Sequence, residues 1–338
     1  MTTLITGVAG FIGFSLAKRL LEQGQPVVGL DNLNDYYDPA LKRMRLAELT
    51  KLGGSFTFHE MDLADSTALT HLFQTTKPTV VIHVGAQASV RYGLKNQTAY
   101  LNSNLIGHFN ILAACKTLQE AEGCLTHLLY ASSSSVYGAN AKPGEDTQAF
   151  AETDNVMHPQ SLYAATKLAD EVITEAWVNQ FQNSAAHVPA TGLRFFTVYG
   201  PWGRPDMSPV LFAHAMLEDK PIPLFNSGDL WRDFTYIDDI VEAVLRLIPT
   251  LPARGHEVYN LGNQNPVRMT DFVATMGKVL GITTRIDNQP WPPTEVYKTF
   301  ADTSKLHAAV GWAPSTSLHD GLTRFIAWYR PVHGSFRI

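Results

Sequence analysis

Three glycines at a spacing of three, Gly7, Gly10 and Gly13, sit between the run Thr3–Thr6 and an amphipathic stretch over residues 12–23. A glycine turn that follows a strand and opens a helix constrains a chain strongly. Glycine allows a tight turn and a close approach of backbone N–H groups to an anion, and the helix N-terminus adds partial positive charge. Gly7, Gly10, Phe11, Ile12 and Gly13 therefore form a candidate pyrophosphate cradle. The spacing differs by one residue from the commoner G-x-G-x-x-G, so the loop alone would also suit a βα turn that binds nothing. Asp31 adds a second signal. It ends the next strand-like run, where a carboxylate accepts from ribose hydroxyls and repels a 2′-phosphate. Asp62 and Leu63 follow the third such run, beside the expected adenine. The pattern predicts NAD rather than NADP as cofactor.

The first half repeats this alternation. Strand candidates over residues 3–6, 26–31, 55–61, 80–84, 127–131 and 190–195 are separated by helical patterns over 12–23, 40–52, 66–74, 104–118 and 162–179. Such spacing predicts βαβ units and a parallel sheet, and the continuous apolar strands suit a sheet covered on both faces. The texture then changes: residues 196–233 hold five prolines and read as loop-rich. A helix with an acidic first turn, Asp238-Asp239, is expected over 236–247, a strand over 258–261, and closing helices over 270–280 and 318–328. The predicted fold class is α/β, a Rossmann-type doubly wound parallel sheet (residues 1–195 plus 235–262) with a smaller, irregular C-terminal substrate-binding domain (196–234 plus 263–338).

Composition removes several function classes. Hydrophobic residues make up 45% of the 338, enough for a sizeable core, and the net charge of −5 offers no basic excess for nucleic acid or an anionic membrane surface. No apolar run reaches the ~18 residues a membrane span needs, and no signal peptide precedes the first strand. Two cysteines, Cys115 and Cys124, are too few for a disulfide framework and suit a reducing, cytoplasmic setting. The twelve histidines never fall within four positions of one another, so no metal site is expected from neighbouring ligands.

Tyr163 and Lys167 stand four apart on one predicted helix face. A phenol is a weak base at neutral pH, and a close cation stabilises its phenolate. The pair gains meaning from Ser132-Ser133-Ser134-Ser135 after the fifth strand, because ligands of open parallel sheets bind at the carboxyl ends of strands. Hydroxyls there can donate to a reacting sugar oxygen, although Ser132 would equally suit a polar loop.

Glycine loop, Asp31, serine run and Tyr-x-x-x-Lys, in that order, resemble the extended short-chain dehydrogenases/reductases, and within them the nucleotide-sugar epimerase/dehydratase group. The specific stretches are 30–38, 130–138, 161–167, 193–207 and 232–239, and they are most similar to the branch acting on UDP-glucuronate. The resemblance implies NAD-dependent C4 epimerisation of UDP-glucuronate to UDP-galacturonate through a transient 4-keto intermediate. It implies Tyr163 as base, Lys167 as its partner and as holder of the nicotinamide ribose, and Ser133 as aid at the sugar 4-oxygen. Asn32 and Asn104 would face the cofactor. Arg232 would pair with the UDP phosphates, Pro223, Leu224 and Phe225 would line the uracil pocket, and Glu295, where relatives carry a Pro-Gly-Asp turn, would reach the uridine ribose. A homodimer through residues 104–118 and 162–179 is expected on the same ground.

Relatives that dehydrate carry an Asp-Glu pair at the positions of Ser134 and Ser135, and relatives that decarboxylate carry Glu at the position of Ser135. The absence of an ionisable group there argues against both. Galactose-type 4-epimerases carry Asn at the position of Thr197. Thr197, Ser133, Ser134, Ser135 and Arg204 make a plausible cradle for a sugar carboxylate; the plainer reading of Arg204 is an ion pair with Asp206. The alternatives are a UDP-glucose/UDP-galactose-type 4-epimerase, a decarboxylase or dehydratase of the same fold, and a non-enzymatic NAD sensor, which would have no need of the Tyr163–Lys167 pair.

Overall fold

A computed structural model describes residues 1–89, 92, 95–138, 147–291 and 296–338. Its first half contains the strands β1 (Thr3–Thr6), β2 (Val27–Asp31), β3 (Phe56–Glu60), β4 (Val80–His83), β5 (His127–Ser133) and β6 (Ala190–Phe195). The helices between them are α1 (Phe11–Glu22), α2 (Pro39–Lys51), α3 (Ser66–Thr76), the single turn α4 (Gln97–Tyr100), α5 (Gly107–Glu122) and α6 (Leu162–Phe181). The second half supplies β7 (Thr197–Tyr199), α7 (Ser208–Leu217), β8 (Ile222–Phe225), β9 (Trp231–Arg232), β10 (Phe234–Tyr236), α8 (Ile237–Leu247) and β11 (His256–Leu261). It continues with β12 (Val267–Arg268), α9 (Met269–Leu280), β13 (Ile286–Gln289), β14 (Lys298–Thr299), α10 (Ser304–Val310) and α11 (Leu318–Val332).

The main sheet runs β11-β6-β5-β4-β1-β2-β3, with every pairing parallel. Its central strands are buried along their whole length, as both-face coverage requires, whereas the edge strand β3 is partly exposed. Successive strands depart from β1 in opposite directions, so a crevice opens beyond the carboxyl ends of β1 and β4. A smaller lobe carries the pairings β13-β8, β12-β9-β14 and β10-β7 above that crevice edge. One apolar core joins both, from Ile5 and Phe14 through Phe234 to Phe272 and Tyr329.

Besides the short strands of the smaller lobe and α10, which the sequence analysis did not expect, three elements differ from the sequence expectations. The loop-rich stretch contains the ten-residue helix α7, because Pro209 sits in the first turn, where its missing N–H costs nothing, and Val210–Leu217 are good helix formers thereafter. Residues 104–118 do not begin a regular helix: Leu101–Ile106 form a π-helical turn between α4 and α5, so Asn104 belongs to that turn. The fifth strand runs on to Ser133, which puts Ser132 and Ser133 in the sheet and leaves Ser134–Tyr137 as a 3-10 turn.

Candidate active site

Backbone geometry makes the glycine loop obligatory. Gly7 has φ +67°, and a Cβ there would lie 2.7 Å from the Cα of Gly85. A Cβ on Gly13 would lie 2.2 Å from the Gly7 carbonyl oxygen, so α1 could not approach the turn as closely with any other residue. The carboxylate of Asp31 accepts from the N–H of Ala9 (3.2 Å) and of Leu33 (2.9 Å), which fixes it beneath the loop. Asp62 accepts from the Asn32 amide at 2.8 Å. Fully buried Arg45 donates to the carbonyls of Ala9 and Trp202 and to the Tyr37 hydroxyl, tying the glycine loop to the 200–204 turn.

A cleft of about 610 Å³ lies over these elements. On one side it is lined by Gly7, Gly10, Phe11, Ile12, Gly13, Asp31, Asn32, Asp62 and Leu63. Ser133, Ser134, Ser135, Tyr163 and Lys167 form its floor, and Thr197, Arg204, Pro223, Leu224, Phe225 and Arg232 line the other side. Sequence-distant candidates therefore converge on one cavity. Ser161, two residues before Tyr163, caps α6 by accepting from Ala164 N at 3.1 Å, which starts the helix at Leu162. The ring of Tyr163 stands edge-on to Tyr100, 6.4 Å between centroids.

Lys167 is almost fully buried, and its ammonium donates to Asp170 Oδ2 at 3.1 Å. Burial pushes the Asp170 carboxyl up to about 6, against the opposing pull of Lys167. The Ser133 hydroxyl accepts from Ser135 N at 3.2 Å and so shapes the turn that presents Ser134 and Ser135. Ser132 is structural: its hydroxyl donates to Glu171, which also holds Arg194 at 2.7 Å.

Arg204 meets both of its readings. It lines the cleft, and it is engaged by Asp206 through Nε–Oδ1 (3.0 Å) and Nη2–Oδ2 (2.6 Å). Burial would raise the Asp206 carboxyl, but Arg204 and the Tyr36 hydroxyl, which donates at 2.7 Å, hold it below the usual carboxylate range. Arg232 donates through Nη1 to the carbonyls of Trp231 (2.8 Å) and Tyr297 (3.3 Å). Its neighbour Asp233 is completely buried and accepts from the N–H groups of Asn263, Gln264 and Ala301, which locks the strand pair carrying Arg232.

One expected residue stands elsewhere. Asn104 does not reach the cleft: it is buried, accepts from Gln87 N (2.8 Å) and donates to Gln87 O (3.1 Å) and Thr166 Oγ1 (2.9 Å). It therefore braces the loop after β4 against α6, and Gln87 and Ser103 line the wall in its place. Glu295 lies outside the described residues.

Sequence reasoning missed Lys42, Tyr36 and the segment Gly85–Ser89, all in the cleft wall. Lys42 lies 3.8 Å from Asp31 and donates to Asn34; burial pushes its ammonium below the usual lysine range, with Asp31 opposing. Its signal was a lysine one helical turn into α2. The Gly85–Ser89 signal was a run of mostly small residues shortly after the fourth strand.

The geometry is matched by known proteins. CapI of Staphylococcus aureus is 41% identical over 97% of this chain and 98% of its own length. A probable UDP-glucuronate 4-epimerase of Rhizobium meliloti is 40% identical over 97% of both chains. The crystal structure of UDP-glucuronic acid 4-epimerase from Bacillus cereus, in complex with UDP-glucuronic acid and NAD, superposes with a TM-score of 0.87 at 32% identity, covering 98% of this chain and 100% of that one. Residues 3–262 match the family model described as the NAD dependent epimerase/dehydratase family. With a glycine loop, an acid ending β2 and a Tyr-x-x-x-Lys helix facing one cleft, this chain belongs to the NAD dependent epimerase/dehydratase family.

Proposed function

We propose that this protein is an NAD-dependent 4-epimerase that interconverts UDP-glucuronate and UDP-galacturonate. The observation that carries the reading is the single cleft in which Tyr163, Lys167 and Ser133–Ser135 face the glycine loop, with hydroxyls alone where a dehydratase or decarboxylase would need an ionisable group. The likeness to UDP-glucuronate 4-epimerases along nearly the whole chain supports it.

Gly7–Gly13 and Asp31 would hold NAD, which would supply a reversible hydride acceptor for C4. Tyr163 takes the proton of the sugar 4-hydroxyl as the carbonyl forms and gives it back when the hydride returns, so the reaction is redox-neutral. Lys167 offsets the phenolate charge and holds the nicotinamide ribose. Ser133 donates to the 4-oxygen in both directions. Arg232 meets the pyrophosphate, while Pro223, Leu224 and Phe225 cover the uracil. Between the two hydride steps the keto-sugar must turn about its pyrophosphate tether within the cleft. Thr197, Ser134, Ser135 and Arg204 offer donors to the C6 carboxylate in both sugar orientations.

Purified protein given UDP-glucuronate should produce its C4 epimer with no stoichiometric cofactor and no CO2. NADH accumulating in step with product, or CO2 as the main product, would overturn the reading. The same reading includes a homodimer through α5 and α6, whose Phe109 and Val172 are large apolar side chains more than half exposed. Val172→Glu should then shift the sedimentation coefficient to that of a monomer. Among the described residues no helix is long and apolar enough to cross a membrane.

A further inference from the structure

We propose that His214, Glu218 and His333 form a binding site for one divalent transition-metal ion of zinc type, which clasps the C-terminal ends of α7 and α11 together. His214 and Glu218 are one helical turn apart at the end of α7, and His333 caps α11. His333 Nε2 lies 3.2 Å from His214 Nδ1 and 3.3 Å from Glu218 Oε1. All three ligand atoms fall within 4.8 Å of one another. Zinc bonds of about 2.0–2.1 Å to nitrogen and oxygen imply neighbouring ligand atoms about 3.3–3.4 Å apart on a tetrahedron, so the two measured edges already match.

Proton counting points the same way. A neutral imidazole carries one N–H, and a carboxylate carries none. The two short contacts share one nitrogen, His333 Nε2, which can donate along one of them but not both. With both rings neutral, one of the two contacts therefore brings two lone pairs together, and a cation satisfies all three atoms at once. Two histidines and one carboxylate are a donor set suited to zinc, and exposed Glu218 leaves the fourth position open to water. The ring of Tyr329, itself fully buried, stands edge-on to His333 at 5.7 Å and closes the inner side. Lys220 opposes the site weakly, 4.0 Å from the other Glu218 oxygen. The two ligands on α7 could be read from the sequence, but His333 comes from the far end of the chain, which is why local spacing predicted no metal.

The clasp has a place in the architecture. Ser208, Leu211 and Phe212, at the start of α7, line the cleft, so fixing the other end of that helix limits how far it can tilt. The proposal stands on the cluster's geometry alone and does not depend on the substrate.

The test is calorimetric titration of zinc into the tag-free full chain after chelator treatment, beside His214→Gln and His333→Gln, with far-UV circular dichroism to establish folding. One zinc per chain, a raised melting temperature, and binding at least about tenfold weaker in each variant are expected, since even outer-shell changes cost about 10–100-fold. No binding by the parent chain, or binding unchanged in either folded variant, overturns the proposal. Should a variant fail to fold, cobalt in the parent chain decides: paramagnetically shifted imidazole resonances from two histidines support the site, and their absence overturns it.

Discussion

Lys167 and Asp170 form an ion pair at 3.1 Å in which neither side chain is more than 2% exposed. The lysine that should support the phenolate of Tyr163 therefore carries its own counter-ion, one turn further along α6. The ammonium also acts on the buried rings of His83 and His108, both kept neutral first by burial and further by the lysine charge. Asp170→Asn leaves the ammonium uncompensated, which favours the phenolate. The pH–rate limb reporting the base should move to lower pH by about one unit, in line with the effect of a charge at close range. A uniform loss of rate at every pH, with the limb unmoved, would reduce Asp170 to a packing residue.

Tyr163→Phe removes the base and keeps the ring against Tyr100. Turnover should fall at least a hundredfold, as a positioned base contributes ~10²–10⁴-fold, while calorimetry still detects UDP-sugar binding. Retention of more than about a hundredth of the rate would move the role of base to another group.

Burial also sets the acid stability. His83 is held down to about 3 by desolvation and then by Lys167, and His108 and His127 are lowered for the same first reason. These groups stay neutral in the fold while their unfolded counterparts protonate below about 6.5, so the unfolded chain binds more protons and stability falls with pH. His83, held to about 3, contributes a loss of about 1.4 kcal/mol per pH unit as pH falls, once its unfolded form is charged. Asp170 works in the opposite sense, because its raised carboxyl takes up a proton as pH falls through about 6. The buried carboxyls of Glu152 and Asp233 are raised in the same way as Asp170, but the lowered histidines, His214 and His256 among them, outnumber these carboxyls, so the melting temperature should drop from pH 7 to pH 5. A flat profile over that interval would contradict the burial assigned to these rings.

Much of this was legible because the signals are backbone-driven. A glycine whose Cβ would strike a carbonyl, an acid at the end of β2 and a phenol–ammonium pair on one helix leave fixed spacings, and each reappears on the cleft wall. What escaped depends on contacts between distant segments. Asn104 was placed on the cofactor, but a π-helical turn rotates it inward onto Gln87 and Thr166. The helix α7 was hidden by a proline count that took no account of position within a turn. Arg45, buried under two loops that lie far apart in sequence, gave no signal at all.

Arg204 lines the cleft together with its own counter-ion, the Asp206 carboxylate. The 4-keto form of a glucuronate is a β-keto acid, and it loses CO2 readily when the bond to its carboxylate overlaps the carbonyl π system. An epimerase must hold that torsion away from overlap while the sugar turns. Arg204, which lines the cleft with Arg232, is held in orientation by two hydrogen bonds to Asp206 and by the Tyr36 ring 5.9 Å away. An arginine locked in this way presents its remaining N–H edge in a fixed direction, which suits a geometric task better than a free side chain. Arg204→Ala should slow epimerisation and release CO2, leaving a 4-keto-pentose nucleotide. A charge-assisted hydrogen bond is worth about 1.5–3 kcal/mol, enough to shift the partition between the two fates by roughly tenfold to a hundredfold. Asp206→Asn should give a milder change in the same direction, since it loosens the guanidinium without removing it. Trapped CO2 and the mass of the nucleotide product measure both. An Arg204→Ala enzyme that epimerises normally and releases no CO2 would leave the Arg204–Asp206 pair a purely structural strut of the cleft.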